Sequence, residues 1–334
     1  VTPDVTPACY HPRIVVREVK MERIADAVAG VRLGEGAVYK NMTLFPLCGE
    51  GVREAGYVTL DEALERQEAE VTEVSEGGSV PELKFVNSGK FPVFLLDGEE
   101  LVGAKQNRVL NLSILVAAGR TILVPVSCVE AGRWHRRSRK FCAAPRAQYA
   151  GGRARKMAQV SLSMRRSGHR LSDQGAVWDH ISEMSARFGV RSETSAMGDI
   201  FCQEAVRLED YVESFPVLDG QRGAVFAVAG RVVGVDLFDS AETFRKLFPK
   251  LLRSYGLDAL DRARSESPEG GCAKEEAGDF LRRVASAEVG EFPAVGEGTD
   301  LRLQAEGLTG AALAAAGRIL HLGAFDLGAD RGFC

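Results

Sequence analysis

The segment Asp97-Gly98-Glu99-Glu100, followed after Leu101 to Ala104 by Lys105-Gln106-Asn107-Arg108, sets three carboxylates and then a cation, two amides and a guanidinium between apolar strands. Such groups are costly to bury unless paired, so this spacing points either to a site or to a polar turn with a solvated strand end. Strand alternation puts Glu99 and Glu100 on opposite faces, and only one of them can look into a given cleft. A second cluster, Glu130-Ala131-Gly132-Arg133-Trp134-His135, leaves the end of a long apolar run. A carboxylate, a guanidinium, an indole and an imidazole together suit a nucleotide: Trp134 for stacking, Arg133 for phosphate, Glu130 for ribose hydroxyls or a water. Packing of Trp134 on a sheet rim and pairing of Glu130 with Arg133 is the competing reading.

Between Ala131 and Ser172 there are about a dozen Lys and Arg and no Asp or Glu. A phosphate-binding flap or a nucleic-acid contact is one reading of this stretch. A surface run neutralised by acids elsewhere is the commoner one. The five histidines show no paired ligand spacing, so no metal site is expected, although Mg²⁺ stays open because it needs only one or two carboxylates and water. Walker A, GxGxxG and GxSxG sequences are absent, which removes the common NTPase, dinucleotide and hydrolase patterns. Cys128, inside the apolar run Val126 to Val129, reads as a small packed hydrophobe rather than a nucleophile.

The elements that must position these groups are mostly strands. Leu83 to Asn87, Pro92 to Leu96, Glu100 to Val102, Val109 to Val116 and Arg120 to Val129 are short β-type runs. Asp97-Gly98 between two of them predicts a tight hairpin. Earlier, Arg13 to Val19 and Val38 to Leu47 read as strands around a helix Lys20 to Ala29; Thr59 caps a helix ending near Gln67, and Ala69 to Val74 alternates like an exposed strand. Later come helices over Arg153 to Met164, from Ser172 or Asp173 to Phe188 with Val177, Ile181, Met184 and Phe188 on one face, and over Asp199 to Ser214. A hairpin turning at Ala229-Gly230, a helix capped by Ser240 and stopped by Gly256, a loop 263–278, a helix Asp279 to Ala287, and strands Thr299 to Ala305 and Gly317 to Gly323 complete the chain.

Strands and helices without regular βαβ units predict an α+β fold: a mainly antiparallel sheet core with packed helices in one compound domain. Its parts are 1–30, a main body 31–262, the loop 263–278, and 279–334 packing on the body. With 334 residues, 45% of them hydrophobic, and a formal net charge of −4, the chain has enough apolar surface for a sizeable core. No run reaches the about 20 uninterrupted apolar residues of a membrane span. No secretory signal is visible in residues 1–13, a signal removed before position 1 staying open, and the seven scattered cysteines read as reduced thiols of a cytoplasmic protein.

The run Phe94-Leu95-Leu96-Asp97-Gly98-Glu99-Glu100-Leu101-Val102-Gly103-Ala104-Lys105-Gln106-Asn107-Arg108-Val109-Leu110-Asn111, with Pro125 to Glu130 and Gly132-Arg133-Trp134, resembles the prokaryotic ADP-ribosylglycohydrolase- and rhodanese-phosphatase-associated protein domain family. The resemblance spans about Asn41 to Tyr255. It implies a setting in NAD or ADP-ribose metabolism with no settled reaction, and carries over Gly98, Glu99, Glu100, Gly103, Lys105, Gln106, Asn107, Arg108, Glu130, Arg133 and Trp134. The resulting expectation is a small-molecule nucleotide partner of ADP-ribose type: Glu100 or Glu130 as catalytic carboxylate, and Glu99, Lys105, Gln106, Asn107, Arg108, Arg133, Trp134 and His135 binding. The rival is a non-catalytic scaffold that docks a partner or nucleic acid through residues 133–170.

Overall fold

Alternate residues of the strand Gln221–Val228 feed two separate cores, which explains why the run is apolar on both sides of the chain. Ala224, Phe226 and Val228 join a cluster with Tyr255, Leu251 and Phe244. Val225 and Ala227 join Ile24, Phe45, Phe280 and Val284. A strand buried on both faces must read this way. It lies in a nine-stranded sheet, antiparallel in every pairing, whose path runs Arg32–Leu33, Met42–Cys48, Gln221–Val228, Arg231–Phe238, Arg318–Asp326, Leu308–Ala315, Thr299–Ala305 and Glu288–Pro293, with Ala37–Tyr39 pairing on Met42–Cys48. The helices Ile24–Ala29 and Lys274–Ala285 contribute to the second cluster, and Ala150–Ser167 and Ala241–Arg262 to the first. The computed structural model describes residues 23–75, 77–264 and 271–328. The expected strand Arg13 to Val19 lies outside them.

A second sheet orders Phe141–Ala147, Glu99–Gly103, Arg108–Leu110, Thr121–Cys128, Glu82–Asn87 and Ala69–Glu73. It curls into a half-barrel whose two edge strands meet at one antiparallel bridge, Thr72 to Lys140. A third, small sheet of Ile114–Val116, Val93–Leu95 and Val58–Thr59 packs with its interior. The whole is a single α+β domain.

Several local expectations hold. Thr59 and Glu62 form a reciprocal capping box, and the helix Leu60–Glu65 gives way at Gln67, whose φ is 57°. Asp173 caps Gln174–Phe188, which buries Val177, Ile181, Met184 and Phe188. Ala229 and Gly230 both take positive φ, as a two-residue hairpin turn requires.

Others are corrected. Asp97-Gly98 does turn the chain, with Glu99 N–H donating to the Leu96 carbonyl at 3.1 Å. It does not join a hairpin, because Val93–Leu95 and Glu99–Gly103 belong to different sheets. The hairpin comes one strand later, Glu99–Gly103 with Arg108–Leu110. Val109 to Val116 is split between two sheets for the same reason. Gly256 does not stop its helix, which continues to Arg262; a Cβ there would lie 3.2 Å from Leu208, so the glycine serves helix-to-helix approach. Lys274–Ala285 begins inside the expected loop 263–278. Asp199 to Ser214 is two helices, Met197–Gln203 and Ala205–Ser214.

The layers are tied by buried charge. Arg153, on the helix Ala150–Ser167, donates to both oxygens of Asp236 (3.0 and 2.7 Å) and to Asp97 at 3.3 Å. Gly98 makes room, since a Cβ there would sit 2.9 Å from Arg153 Cγ. Burial alone would raise the Asp236 carboxyl, but Arg153 and His321 override it and bring it down to about 2. The folded state therefore sheds a proton that the unfolded chain still binds near its ordinary 3.8. That stabilisation is complete above pH about 4 and disappears as the pH falls from about 4 towards 2, which urea unfolding across that range will show. Asp236→Asn leaves the fully buried Arg153 undercompensated and is expected to cost about 3–5 kcal/mol at neutral pH.

Candidate functional site

The tip of the hairpin, Ala104 to Asn107, is a strained loop held from outside. Gly103 has φ 136° and Ala104 φ 39°. A Cβ on Gly103 would approach Ser138 Oγ at 2.7 Å and the Lys140 carbonyl at 2.8 Å, so only glycine fits. The carbonyls of Gly103 and Ala104 accept from Arg133 Nη2 (3.2 Å) and Nη1 (2.7 Å). The remaining Arg133 donors go to Glu130, Asn107 Oδ1 and the His135 carbonyl. Every N–H of this guanidinium is spoken for.

Glu130 is equally saturated. Its Oε1 accepts from Arg133 Nε (2.8 Å) and Thr194 Oγ1 (2.8 Å), and its Oε2 from Arg133 Nη2 (2.6 Å) and the Asn107 N–H (3.0 Å). Burial pushes this carboxyl up, but the bonds from Arg133, Asn107 and Thr194 prevail and hold it below its ordinary value. Glu130 thus joins the hairpin tip, its own loop and the 194 loop. It leaves no lone pair for a water, and Arg133 leaves no donor for a diphosphate.

Arg108 is the opposite case. Its side chain has no exposure, yet only Nη1 has partners, Gln106 Oε1 at 3.1 Å and the Asn107 carbonyl at 3.5 Å. Nε and Nη2 have none. Burial lowers its affinity for the proton. Trp134, 50% exposed, has the Arg108 guanidinium 6.0 Å and the Lys105 ammonium 5.2 Å from its ring. Lys105 also donates to the Gly77 carbonyl at 2.6 Å. The His135 side chain is exposed, and only its carbonyl joins the network.

The two glutamates face apart, as alternation requires. Glu99 accepts from Lys250 (2.7 Å) and from the Leu96 N–H (2.9 Å), and burial raises its carboxyl against the pull of Lys250. Glu100 accepts from Arg146 Nε at 2.5 Å through Oε2, while its buried Oε1 has no partner. Burial, only partly offset by Arg146, raises this carboxyl too.

The basic stretch divides into buried and exposed populations, with Arg155 and Arg170 between them. Arg133, Arg153 and Lys156 are buried and Arg146 nearly so, paired with Glu130, Asp97, Asp236 and Glu100. Arg136, Arg137, Arg139, Lys140, Arg165 and Arg166 are exposed. Among the described residues no group of three or more His, Cys, Asp or Glu is arranged to hold a metal. None of the expected site residues lines the groove of about 530 Å³ along the half-barrel seam, where Glu70, Val71, Lys140, Phe141 and Cys142 lie.

Ser113, His321 and Asp236 form a hydrogen-bonded chain of 2.9 and 3.0 Å that resembles a hydrolytic relay. The cavity beside it is only about 10 Å³, room for one water and no substrate. Sequence reading took Cys128 for a packed hydrophobe and missed that it lies directly opposite Arg108 in the ladder, and it overlooked the side chains of Thr194, Gln174 and Arg146. The register of two adjacent runs was the one signal for the first of these.

Saturated and open groups should respond differently to removal. Glu130→Ala strands a buried Arg133 and is expected to cost about 3–5 kcal/mol in urea unfolding. Arg108→Met exchanges a half-satisfied buried cation for an apolar chain of similar length and is expected to be neutral or stabilising by up to about 2 kcal/mol.

No curated protein and no solved structure matches the chain at a significant level. The sequence does match one protein-family domain over residues 30–325, a span that extends past Tyr255 through the strands that complete the nine-stranded sheet. By that match the chain belongs to the ARG and Rhodanese-Phosphatase-superfamily-associated Protein domain family.

Proposed function

We propose that the hairpin tip binds, and hydrolytically processes, a phosphate-bearing nucleotide of the ADP-ribose and NAD class. The observation that carries this reading is Arg108, a guanidinium with no exposure and with Nε and Nη2 unpartnered. Unmet donors on a buried charge are costly, and a phosphate answers both in the forked geometry that guanidinium favours. Trp134 offers a half-exposed ring beside that cation for a base to stack on. Lys105 supplies a second positive charge close by.

Of the two carboxylates Glu100 has the better chemistry for proton transfer, although it pairs with Val109 in the ladder and so leaves the face opposite to that of Arg108. It keeps a free oxygen and a raised affinity for the proton, the two properties a general acid or base at neutral pH needs. Glu130 and Arg133 then act by holding the tip, with Gln106 and Asn107 passing that order to Arg108. Glu99, on the same sheet face as Leu101 and its ladder partner Arg108, braces the strand through Lys250. Mg²⁺, if it takes part, would arrive with the diphosphate, since Glu130 has no oxygen to spare. Membership of a family named for its association with ARG proteins is in keeping with this ligand class.

The rival reading, docking of a partner or nucleic acid through residues 133–170, retains the exposed cations Arg136, Arg137, Arg139, Lys140, Arg165 and Arg166. Calorimetric titration of the reduced protein with ADP-ribose and NAD, with and without Mg²⁺, separates the two. We expect saturable binding that weakens at least tenfold in Arg108→Met, since one charge-assisted contact is worth about 1.5–3 kcal/mol. Glu100→Gln should leave that affinity within about threefold while turnover falls by about 10²-fold or more. Equal affinities in wild type and Arg108→Met would sink the site; binding of RNA alone, with a steep salt dependence, would favour the rival.

A further inference from the structure

Cys128 stands across the ladder from Arg108, so the two side chains leave the same face of the sheet from opposed positions. The thiol and Arg108 Nη1 share one acceptor, Gln106 Oε1, at 3.1 Å each. The sulfur also donates to the Glu130 carbonyl at 3.3 Å. Both backbone groups of Cys128 are held by a single side chain. Its N–H donates to Gln174 Oε1 and its carbonyl accepts from Gln174 Nε2, each at 2.8 Å. A thiol fixed at this level of detail, beside a buried guanidinium with Nε and Nη2 unpartnered, has donors ready for an oxygen that the protein itself does not supply.

We propose that Cys128 is an oxidation site, converted by hydrogen peroxide to a sulfenic acid whose oxygen takes up the open donors of Arg108 and thereby closes the Arg108 anion site. The thiolate sulfur attacks one peroxide oxygen, the O–O bond breaks, and the leaving hydroxide combines with the proton released by the thiol to form water. Sulfur loses two electrons and the peroxide gains them, leaving Cys128 as S–OH. Arg108 compensates the negative charge on sulfur as the thiolate forms and on oxygen once the product ionises. Burial raises the thiol's affinity for its proton and prevails over Arg108, which works against it, so the thiolate that reacts forms in the same opening that admits the peroxide. Hydrogen peroxide is little larger than water, so the local opening that admits it is small.

The molecule carries its own comparator. Cys272 is also buried, but its sulfur donates to Glu276 Oε2 at 3.2 Å, and burial with that carboxylate pushes the thiol up to about 12. The oxidation half of the proposal does not depend on the nucleotide; the closing of the site rests on the function proposed above. The test treats the reduced, full-length protein with hydrogen peroxide in the presence of a dimedone-type trap and reads each cysteine by peptide mass. Cys128 should be labelled at least tenfold faster than Cys272, and Arg108→Met should remove most of that excess. Labelling of Cys128 no faster than Cys272 in the wild type overturns the oxidation site, whatever the nucleotide result. Titration of ADP-ribose into protein oxidised without the trap should then show at least tenfold weaker binding, restored by dithiothreitol and absent in Cys128→Ser. Undiminished binding by oxidised protein overturns the closing of the site. A reduced protein that never binds ADP-ribose, while Cys128 still oxidises selectively, overturns the nucleotide reading and leaves the oxidation site standing.

Discussion

Arg153 is the constraint on which the rest of the structure depends. One guanidinium, carried by a helix packed between the sheets, neutralises Asp236 in the nine-stranded sheet and Asp97 at the entry to the half-barrel. Lys156, one turn along the same helix, takes the other oxygen of Asp97 and the Leu110 carbonyl. Tyr255 and His321 complete the shell of Asp236. None of these charges tolerates burial without its partners, so the sheets cannot be assembled one at a time with their charges in place. The network couples half-barrel geometry to the main sheet, and hence fixes where the hairpin at Glu99 to Leu110 begins.

Local structure was legible in the sequence where one physical rule acted alone. Periodicity gave the buried face of Gln174–Phe188, and the turn chemistry of Ala229-Gly230 gave the hairpin around it. It was illegible where two rules competed. Phe141–Ala147 contains Pro145, Arg146 and a bulge, and so lacks the period of a strand, yet it pairs along Glu99–Gly103. Leu308–Ala315 is mostly Gly and Ala, residues of low strand propensity. It forms a central strand because its neighbours leave room for nothing larger: a Cβ on Gly310 would meet Ala324 and Leu303 at 3.1 Å. Asp97-Gly98 has the chemistry of a hairpin turn, and nothing local reveals that the flanking strands belong to different sheets.

The candidate residues were legible as a set and illegible as roles. Their chemical types alone mark the two clusters as polar groups in an apolar setting. What separates Glu130 from Glu100, or Arg133 from Arg108, is how many of their bonds are already made, and those partners come from Thr194, Arg146 and backbone carbonyls distant in sequence. The acid-free stretch after Ala131 and the acid-rich motif before it were read as two features. They are joined in part, since Arg133, Arg146, Arg153 and Lys156 are the counter-charges of Glu130, Glu100 and Asp97. A charge run looks solvated in sequence because the sequence does not show which acids fold back onto it.

Saturation also explains how one short hairpin carries both order and an open group. A strained tip with Ala104 at positive φ would relax if left to itself. Arg133 prevents this by gripping two tip carbonyls, and Glu130 prevents Arg133 from turning away. Because that pair does the holding, Arg108 carries little of it: its only hydrogen bonds are to one side-chain amide and, weakly, one carbonyl, with the Trp134 ring beside it. A buried cation with little structural work costs stability and returns little, which is what separates a group arranged to meet an anion from one arranged to hold a fold. Rigidity around Arg108 and the two unpartnered nitrogens it carries thus have one origin, because the saturated pair supplies the fixed frame and leaves this guanidinium unsaturated; the proposed anion would meet that deficit.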